Sequence, residues 1–268
     1  MSPSGTRRAP CPACDRGPKD TAMSVTTDER GTVEYCHRCG YTRAQNRERP
    51  RIERAKIQSA RPDASKPPPP LEWSDRAEAI WGRTVTLRGT VGEKYLLHRG
   101  CALPPPDSDL RFLSAHGKYP PTLCARVTDV LTAKPTTLHF TRLATDGRGK
   151  AGTDCDKMLL AGHRKKGGVI RLWSDDAVTH GLGVAEGIES TLCAAHAYMP
   201  MWSCVDADNL AGLPLLPGIE ALVIYADHDH KGLHAARALG QRWADAGREV
   251  EIVTPTQDGA DIANVVAP

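Results

Sequence analysis

Two groups of residues in this sequence have the types and spacing to do chemistry. Four thiols fall into two Cys-x-x-Cys pairs, Cys11-Pro-Ala-Cys14 and Cys36-His-Arg-Cys39, with 21 residues between them. Each pair turns two sulfurs toward one point, and four thiolates match the tetrahedral preference of a closed structural zinc site. Far downstream, Glu186 follows the apolar run Gly-Leu-Gly-Val-Ala, and Asp227-His-Asp229 follows Ala-Leu-Val-Ile-Tyr-Ala. Residues i and i+2 at a strand end point the same way, so both aspartates can converge on one ion. In a parallel sheet the strand C-termini form one edge, which brings Glu186 to the same place. Three carboxylates there suit Mg2+ or Mn2+, ions that act on phosphates. Taken singly, each of these acids would serve equally well beside a helix N-terminus. Their joint occurrence at two strand ends points to metal chemistry.

The elements that must position these groups are legible from periodicity. Thr21-Ala-Met-Ser-Val and Thr32-Val-Glu-Tyr can pair as a hairpin between the two cysteine knuckles, and Gly40 suits the turn after the second. From Arg43 to Pro70 large apolar residues almost vanish, and Pro67 to Pro70 should form a stiff polyproline spacer. Ser74-Asp75 then opens a short helix over Arg-Ala-Glu-Ala-Ile-Trp, and Thr90-Val-Gly-Glu93 is a capping box ahead of a second. Between Leu110 and Trp173 short alternating strands predict an α+β region. From Gly181 onward strands and helices alternate: a helix over 188–198, strands at Met201 and Ala221, a helix over 232–246, a strand at Val250 and a terminal helix over Ile-Ala-Asn-Val-Val. That order predicts a mostly parallel sheet with crossover helices.

Composition removes several classes of function. No apolar run approaches the length of a membrane span, and Met-Ser-Pro-Ser-Gly-Thr-Arg-Arg lacks the apolar core of a secretion signal, so a cytoplasmic protein is expected. The remaining cysteines, Cys101, Cys124, Cys155, Cys193 and Cys204, lack paired spacing and read as packing residues. Charge is polarised: residues 41–66 carry 8 Lys and Arg against 3 Asp and Glu, whereas residues 181–268 carry 4 against 12. A basic front and an acidic rear suit a protein that holds a polyanion with one part and divalent cations with the other.

Gly-Val-Ala-Glu186-Gly-Ile-Glu-Ser followed by Ile-Tyr-Ala-Asp227-His-Asp229-His-Lys-Gly resembles the toprim domain shared by bacterial primases, topoisomerases and some nucleases. Pro-Thr-Gln-Asp-Gly-Ala-Asp261 looks like the third acidic element of toprim primases, and Lys157-Met-Leu-Leu with Arg164-Lys165-Lys166-Gly-Gly is similar to the basal segment that precedes toprim there. With the cysteine quartet in front, the order resembles the zinc-ribbon/toprim primases of phages and plasmids. The organisation expected from this resemblance is a zinc ribbon at 1–41, a basic, Pro-rich linker at 42–70, an α+β basal region at 71–180 and an α/β toprim domain at 181–268.

The resemblance implies a DNA primase that joins nucleoside triphosphates on single-stranded DNA. Zinc would sit on Cys11, Cys14, Cys36 and Cys39. Magnesium or manganese would sit on Asp227, Asp229 and Asp261, with Glu186 either ligating the ion or moving a proton. Lys157, Arg164, Lys165 and Lys166 would line the template or nucleotide path. Arg38, Arg43 and Tyr41 of the ribbon would touch the template, although Tyr41 suits the ribbon's small core equally well. No Gly-x4-Gly-Lys-Ser/Thr loop occurs, so helicase activity is expected from a separate partner in a primosome. Two other readings use the same residues: a toprim nuclease, which has no need of a zinc ribbon, and a non-catalytic single-stranded-DNA-binding adaptor. A topoisomerase fits least, because a chain of 268 residues leaves little room for the gate domain.

Overall fold

The computed structural model describes residues 5–14, 17–28, 31–46, 73–257 and 259–263. The chain divides between Pro67 and Pro68 into two compact units.

The first unit is an antiparallel sheet of β1 (Gly5–Ala9), β2 (Met23–Asp28), β3 (Gly31–Cys36) and β4 (Thr42–Asn46), paired in that order. Its core is small: Met23, Val25, Cys11 and Cys36, with Tyr41 and Ala9 against them. Strand β4 falls where sequence composition placed the start of the linker. Its residues are polar, yet β3 offers a complete row of backbone partners, with Tyr35 opposite Thr42 and Gly31 opposite Asn46. The polyproline segment lies outside the described residues.

The second unit begins with α1 (Asp75–Trp81), where Ser74 caps by accepting from the Ala77 N–H. Helix α2 (Val91–His98) follows; Thr90 accepts from the Glu93 N–H, while the Glu93 carboxylate accepts from Gly89, one residue earlier than a capping box requires. Next come β5 (Leu110–Leu113), β6 (Thr122–Asp129), β7 (Pro135–Arg142), β8 (Lys157–Leu159) and β9 (Gly168–Arg171). The alternating part is β10 (Gly181–Ala185), α3 (Ile188–Ala194), β11 (Met201–Ser203), α4 (Ala207–Gly212), β12 (Ala221–Tyr225), α5 (His230–Asp245) and β13 (Glu249–Val253). Helix α3 stops at Ala194, four residues short of its sequence-based limit, and α4 was not expected from the sequence. The terminal helix expected after Asp261 lies largely outside the described residues.

Strands β13, β12, β10 and β11 are parallel, as the alternation requires. The chain leaves β10 for β11 on one side and returns to β12 on the other, so β10 is the point where strand order reverses. Ligand crevices in open α/β sheets form at such points, outside the strand C-termini. Strand β9 then pairs antiparallel with both β11 and β6, so the α+β strands and the parallel strands make a single nine-stranded sheet. One layer of core lies over the α2 and α3 face and includes Tyr95, Leu96, Leu192 and Tyr225. The other lies under α4 and α5 and includes Leu182, Ile224, Leu239 and Trp243. No helix of the described residues is long and apolar enough to cross a membrane.

The seam between the two halves of the sheet is fixed by one buried cation. Arg171, at the end of β9, donates to the Thr128 hydroxyl at 2.5 Å and to the Val130 carbonyl at 3.1 Å, pairs with Asp175 at 2.7 Å, and stacks on Trp202 of β11 at 4.5 Å. Truncating it strands buried acceptors on β6, so Arg171→Ala is expected to cost about 2–4 kcal/mol of stability in urea unfolding. Arg171→Lys should recover little of that, because an ammonium cannot reach both neighbours and stack.

Candidate functional site

The cysteines converge. The Sγ atoms of Cys11, Cys14, Cys36 and Cys39 all lie within 4.8 Å of one another, with Cys11 to Cys39 at 3.7 Å and Cys14 to Cys36 at 3.8 Å. Zinc–sulfur bonds of about 2.3 Å in a tetrahedron require sulfurs roughly 3.8 Å apart, so the donor set fits the ion in number, type and spacing. Gly40, at a φ of +72°, makes the left-handed turn that lets its N–H close back on the Cys36 carbonyl. Backbone N–H groups of Cys39 and Arg38 draw the Cys36 thiol down to about 6. His37, inside the knuckle, instead reaches Ser24 at 3.1 Å. Arg38, expected at the template, is engaged by Asp20 through two bonds of 3.0 and 3.1 Å, which brace the knuckle. Arg43 is exposed on β4. Tyr41 packs on the ribbon core, whereas Tyr35 of β3 is exposed.

The acidic residues gather at the C-terminal edge of the parallel strands. Glu186 follows β10 directly, and no described residue hydrogen-bonds its carboxylate. Asp227, after β12, accepts from the Ile262 N–H at 3.0 Å and from the Ser190 hydroxyl at 3.4 Å. The segment that carries Asp261 is laid against this loop by backbone bonds from His228 to the Ala260 carbonyl and from Gly259 to the His228 carbonyl, and by the His228 ring on Pro255. Glu186, Asp227 and Asp261 line one cavity of about 210 Å³. Oδ1 of Asp261 is buried there without a partner. Asp229 stands apart: it is the N-cap of α5, accepting from Gly232 at 2.7 Å, and does not line the cavity. Gly232 is needed for that cap, since a Cβ there would sit 2.7 Å from the Asp227 carbonyl.

Burial, then the neighbouring Asp227, raises the proton affinity of Glu186; burial, then Asp261 and Asp229, raises that of Asp227 against the pull of its two donors. Each carboxylate raises the proton affinity of its neighbour, a repulsion that a shared divalent ion would relieve. Among the described residues the cysteine quartet alone brings three or more ligand atoms within reach of one ion, so the carboxylates line their cavity without closing on each other. Unpartnered oxygens on three carboxylates fit a hard divalent ion that would draw them together.

The cavity also holds cations. Glu189, in the first turn of α3, is buried and ties Lys157 of β8 at 2.9 Å, Lys150 at 3.9 Å and the Tyr95 hydroxyl of α2 at 3.0 Å. Although burial alone would raise it, the two lysines hold the Glu189 carboxyl down at about 2. Lys150, Lys157 and His139 line the same cavity as the acids. Burial and Lys157 hold the His139 imidazole at about 4, neutral at physiological pH.

Sequence reasoning missed Glu189, Lys150 and His139. The available signal for Glu189 was a second carboxylate three residues after Glu186, in a helix with no other charged residue. Of the four basic residues expected along the template path, Lys157 is bound to Glu189, Arg164 to Asp129 at 2.8 Å and Lys165 to Asp206. Lys166 is exposed. Of the five cysteines read as packing, Cys155 is exposed and the other four are buried.

Glu189 titrates near 2 in the fold against 4.5 ordinarily, so its contribution is complete above about pH 4.5 and lost as pH falls toward 2. Acid unfolding followed by circular dichroism should shift accordingly, and Glu189→Gln should flatten the dependence in that window while lowering stability at pH 7. Asp227 behaves oppositely: its raised affinity for protons means that its charge opposes folding at neutral pH. Asp227→Asn, which keeps the acceptor for Ile262, is therefore expected to raise the melting temperature in the presence of a chelator and to remove any stabilisation by Mg2+ or Mn2+.

Residues 72–172 match a domain of unknown function, DUF7146, and residues 181–267 match the toprim domain. No curated protein matches the chain. Among solved structures, a DNA primase domain from Pseudomonas aeruginosa aligns at 12% identity and a TM-score of 0.38, over 68% of this chain and 58% of that one. The RNA polymerase domain of Mycobacterium tuberculosis primase DnaG in complex with double-stranded DNA aligns at 18% identity and a TM-score of 0.37, over 64% of this chain and 55% of that one. The chain thus spans little more than half the length of these solved domains, a likeness too loose to place individual residues. The segment carrying Glu186, Asp227, Asp229 and Asp261 is a toprim domain.

Proposed function

We propose that this protein is a DNA primase, a nucleotidyltransferase that makes short primers on single-stranded DNA. One observation carries the reading: a single cavity holds the carboxylates of Glu186, Asp227 and Asp261, none of them paired with a cation among the described residues, together with Lys150 and Lys157. Carboxylates and ammonium groups in one cavity suit a triphosphate bound through a divalent ion. Mg2+ or Mn2+ would supply neutralisation of the charge that builds on the phosphates and on the attacking oxygen.

Asp227 and Asp261 would hold that ion, whereas Asp229, which caps α5 and does not line the cavity, would add its charge from nearby. Glu186 completes the set or accepts the proton of the attacking 3′-hydroxyl. Lys150 and Lys157 receive phosphate oxygens, kept in place by Glu189. Neutral His139 donates or accepts a hydrogen bond without adding charge. The cysteine unit, whose four thiolates would hold zinc, would present Arg43 and exposed Tyr35 to the template; aromatic rings beside cations hold single strands by stacking. A separate helicase would supply the unwound template.

The test is to incubate zinc-loaded protein with labelled nucleotides, Mg2+ or Mn2+ and mixed single-stranded templates, beside Glu186→Gln and Asp227→Asn. Template-dependent short products, reduced by about a hundredfold or more in both variants, are expected. Metal-dependent shortening of the template instead, lost in the same variants, would make the protein a toprim nuclease. DNA binding with neither activity would leave an adaptor.

A further inference from the structure

A second cavity, of about 760 Å³, lies on the other face of the β6–β7–β8 sheet from the acidic site. Alternation along the strands makes the separation: His139 and Lys157 face the acids, whereas Phe140, Arg142 and Met158 face this second space. Its floor is apolar, formed by Ile80, Leu113, Phe140, Met158 and Leu160, and exposed Tyr119 stands at the mouth. Three guanidinium groups ring it: Arg76 from α1, Arg83 from the turn just after that helix, and Arg142 from β7. None has an ion-pair partner among the described residues, and no Asp or Glu lines the cavity. Among the described residues the Arg142 guanidinium hydrogen-bonds only to the Met158 sulfur, at 3.5 Å.

A backbone feature decides between possible anions. Strand β8 ends the sheet, pairing only with β7. The Arg142 N–H bonds the Asp156 carbonyl and the Leu160 N–H bonds the Leu138 carbonyl, so the even-numbered residues face β7. Antiparallel geometry then turns the backbone groups of Lys157 and Leu159 outward; the Lys157 carbonyl accepts from the Cys155 thiol at 3.0 Å, while no described residue takes the N–H and C=O of Leu159. An open strand edge beside an apolar cavity recognises another polypeptide, because nucleic acid has no N–H and C=O ladder to add.

We propose that this cavity and the free edge of β8 together bind an acidic, extended peptide segment of a partner protein, which adds a strand to β8, seats a bulky apolar side chain on the Phe140–Met158 floor and pairs its carboxylates with Arg76, Arg83 and Arg142. The chain's own linker is the wrong occupant, since residues 41–66 are predominantly basic. This inference stands independently of the primase reading, because it uses none of the acidic site.

The probe is a set of short fluorescein-labelled peptides in which Asp alternates with Phe or Leu, with an Asn-for-Asp set and a set N-methylated on alternate amides, measured by anisotropy against the full chain. Arg76 on α1 and Arg83 just after it are exposed, so the double variant Arg76→Ala/Arg83→Ala should keep its fold by circular dichroism. The Asp peptides are expected to bind, and the double variant, the Asn set and the N-methylated set should each weaken binding by about tenfold or more. The proposal is overturned if no Asp peptide binds, if Asn peptides bind as well, or if the double variant binds unchanged. It is also overturned if oligodeoxythymidine displaces the peptide and itself loses affinity in the double variant, which would assign the cavity to nucleic acid.

Discussion

The buried carboxylate of Glu189 is the interaction on which the acidic site depends. It lies in the first turn of the helix that follows Glu186, so the strand that delivers one acid to the cavity also delivers the anchor for the cavity's lysines. Lys157 on β8 and Lys150 come from a part of the chain outside the toprim segment, and Tyr95 comes from a helix still earlier. An anion taken out of water needs such partners, and here two cations and a phenol supply them. Their cost in freedom is met where it serves chemistry, because the same ammonium groups border the space that Glu186 and Asp227 enclose.

The site is therefore shared between two stretches that family comparison separates, and the sheet explains how. Strand β9 hydrogen-bonds on one side to β6 and on the other to β11, and Arg171 spans the same joint. At the far end the segment from Pro255 to Ile262 is tied to the Asp227 loop, so Asp261 reaches the cavity through main-chain bonds rather than through a strand of its own. The carboxylates thus arrive by three separate routes, and their mutual repulsion is held by the backbone.

Much of this was legible in the sequence, and the reason is that strand ends and knuckle spacings are local properties. Glu186 and Asp227 lie at the edge that alternating strands and helices require, and the cysteine quartet gathers as its spacing demands. Which partners the side chains meet was not legible. Arg164, Lys165 and Arg38 read as cations available for phosphate, but each meets an aspartate distant in sequence, Asp129, Asp206 and Asp20 respectively. Asp229 reads as a ligand equal to Asp227, yet the N-terminus of α5 claims one of its oxygens. Strand β4 was hidden because its pairing depends on β3 rather than on its own polar side chains. Burial of Glu189 was invisible for the same reason: nothing in a short helix says that its charged residue will meet two lysines from elsewhere.

The joint at β9 bears on how such a protein can be assembled from inherited parts. The two matched segments, 72–172 and 181–267, look like interchangeable modules when read along the chain. In space the cut between them would run through a hydrogen-bonded ladder and bare the flank of β11, a surface prone to pair with other chains. A recombination event that exchanged the toprim segment alone would have to reproduce the contact of Trp202 with Arg171 and the seat of Lys157 on Glu189. The unit of inheritance for this chemistry is accordingly the whole sheet, from the helix before β5 to the loop that follows β13.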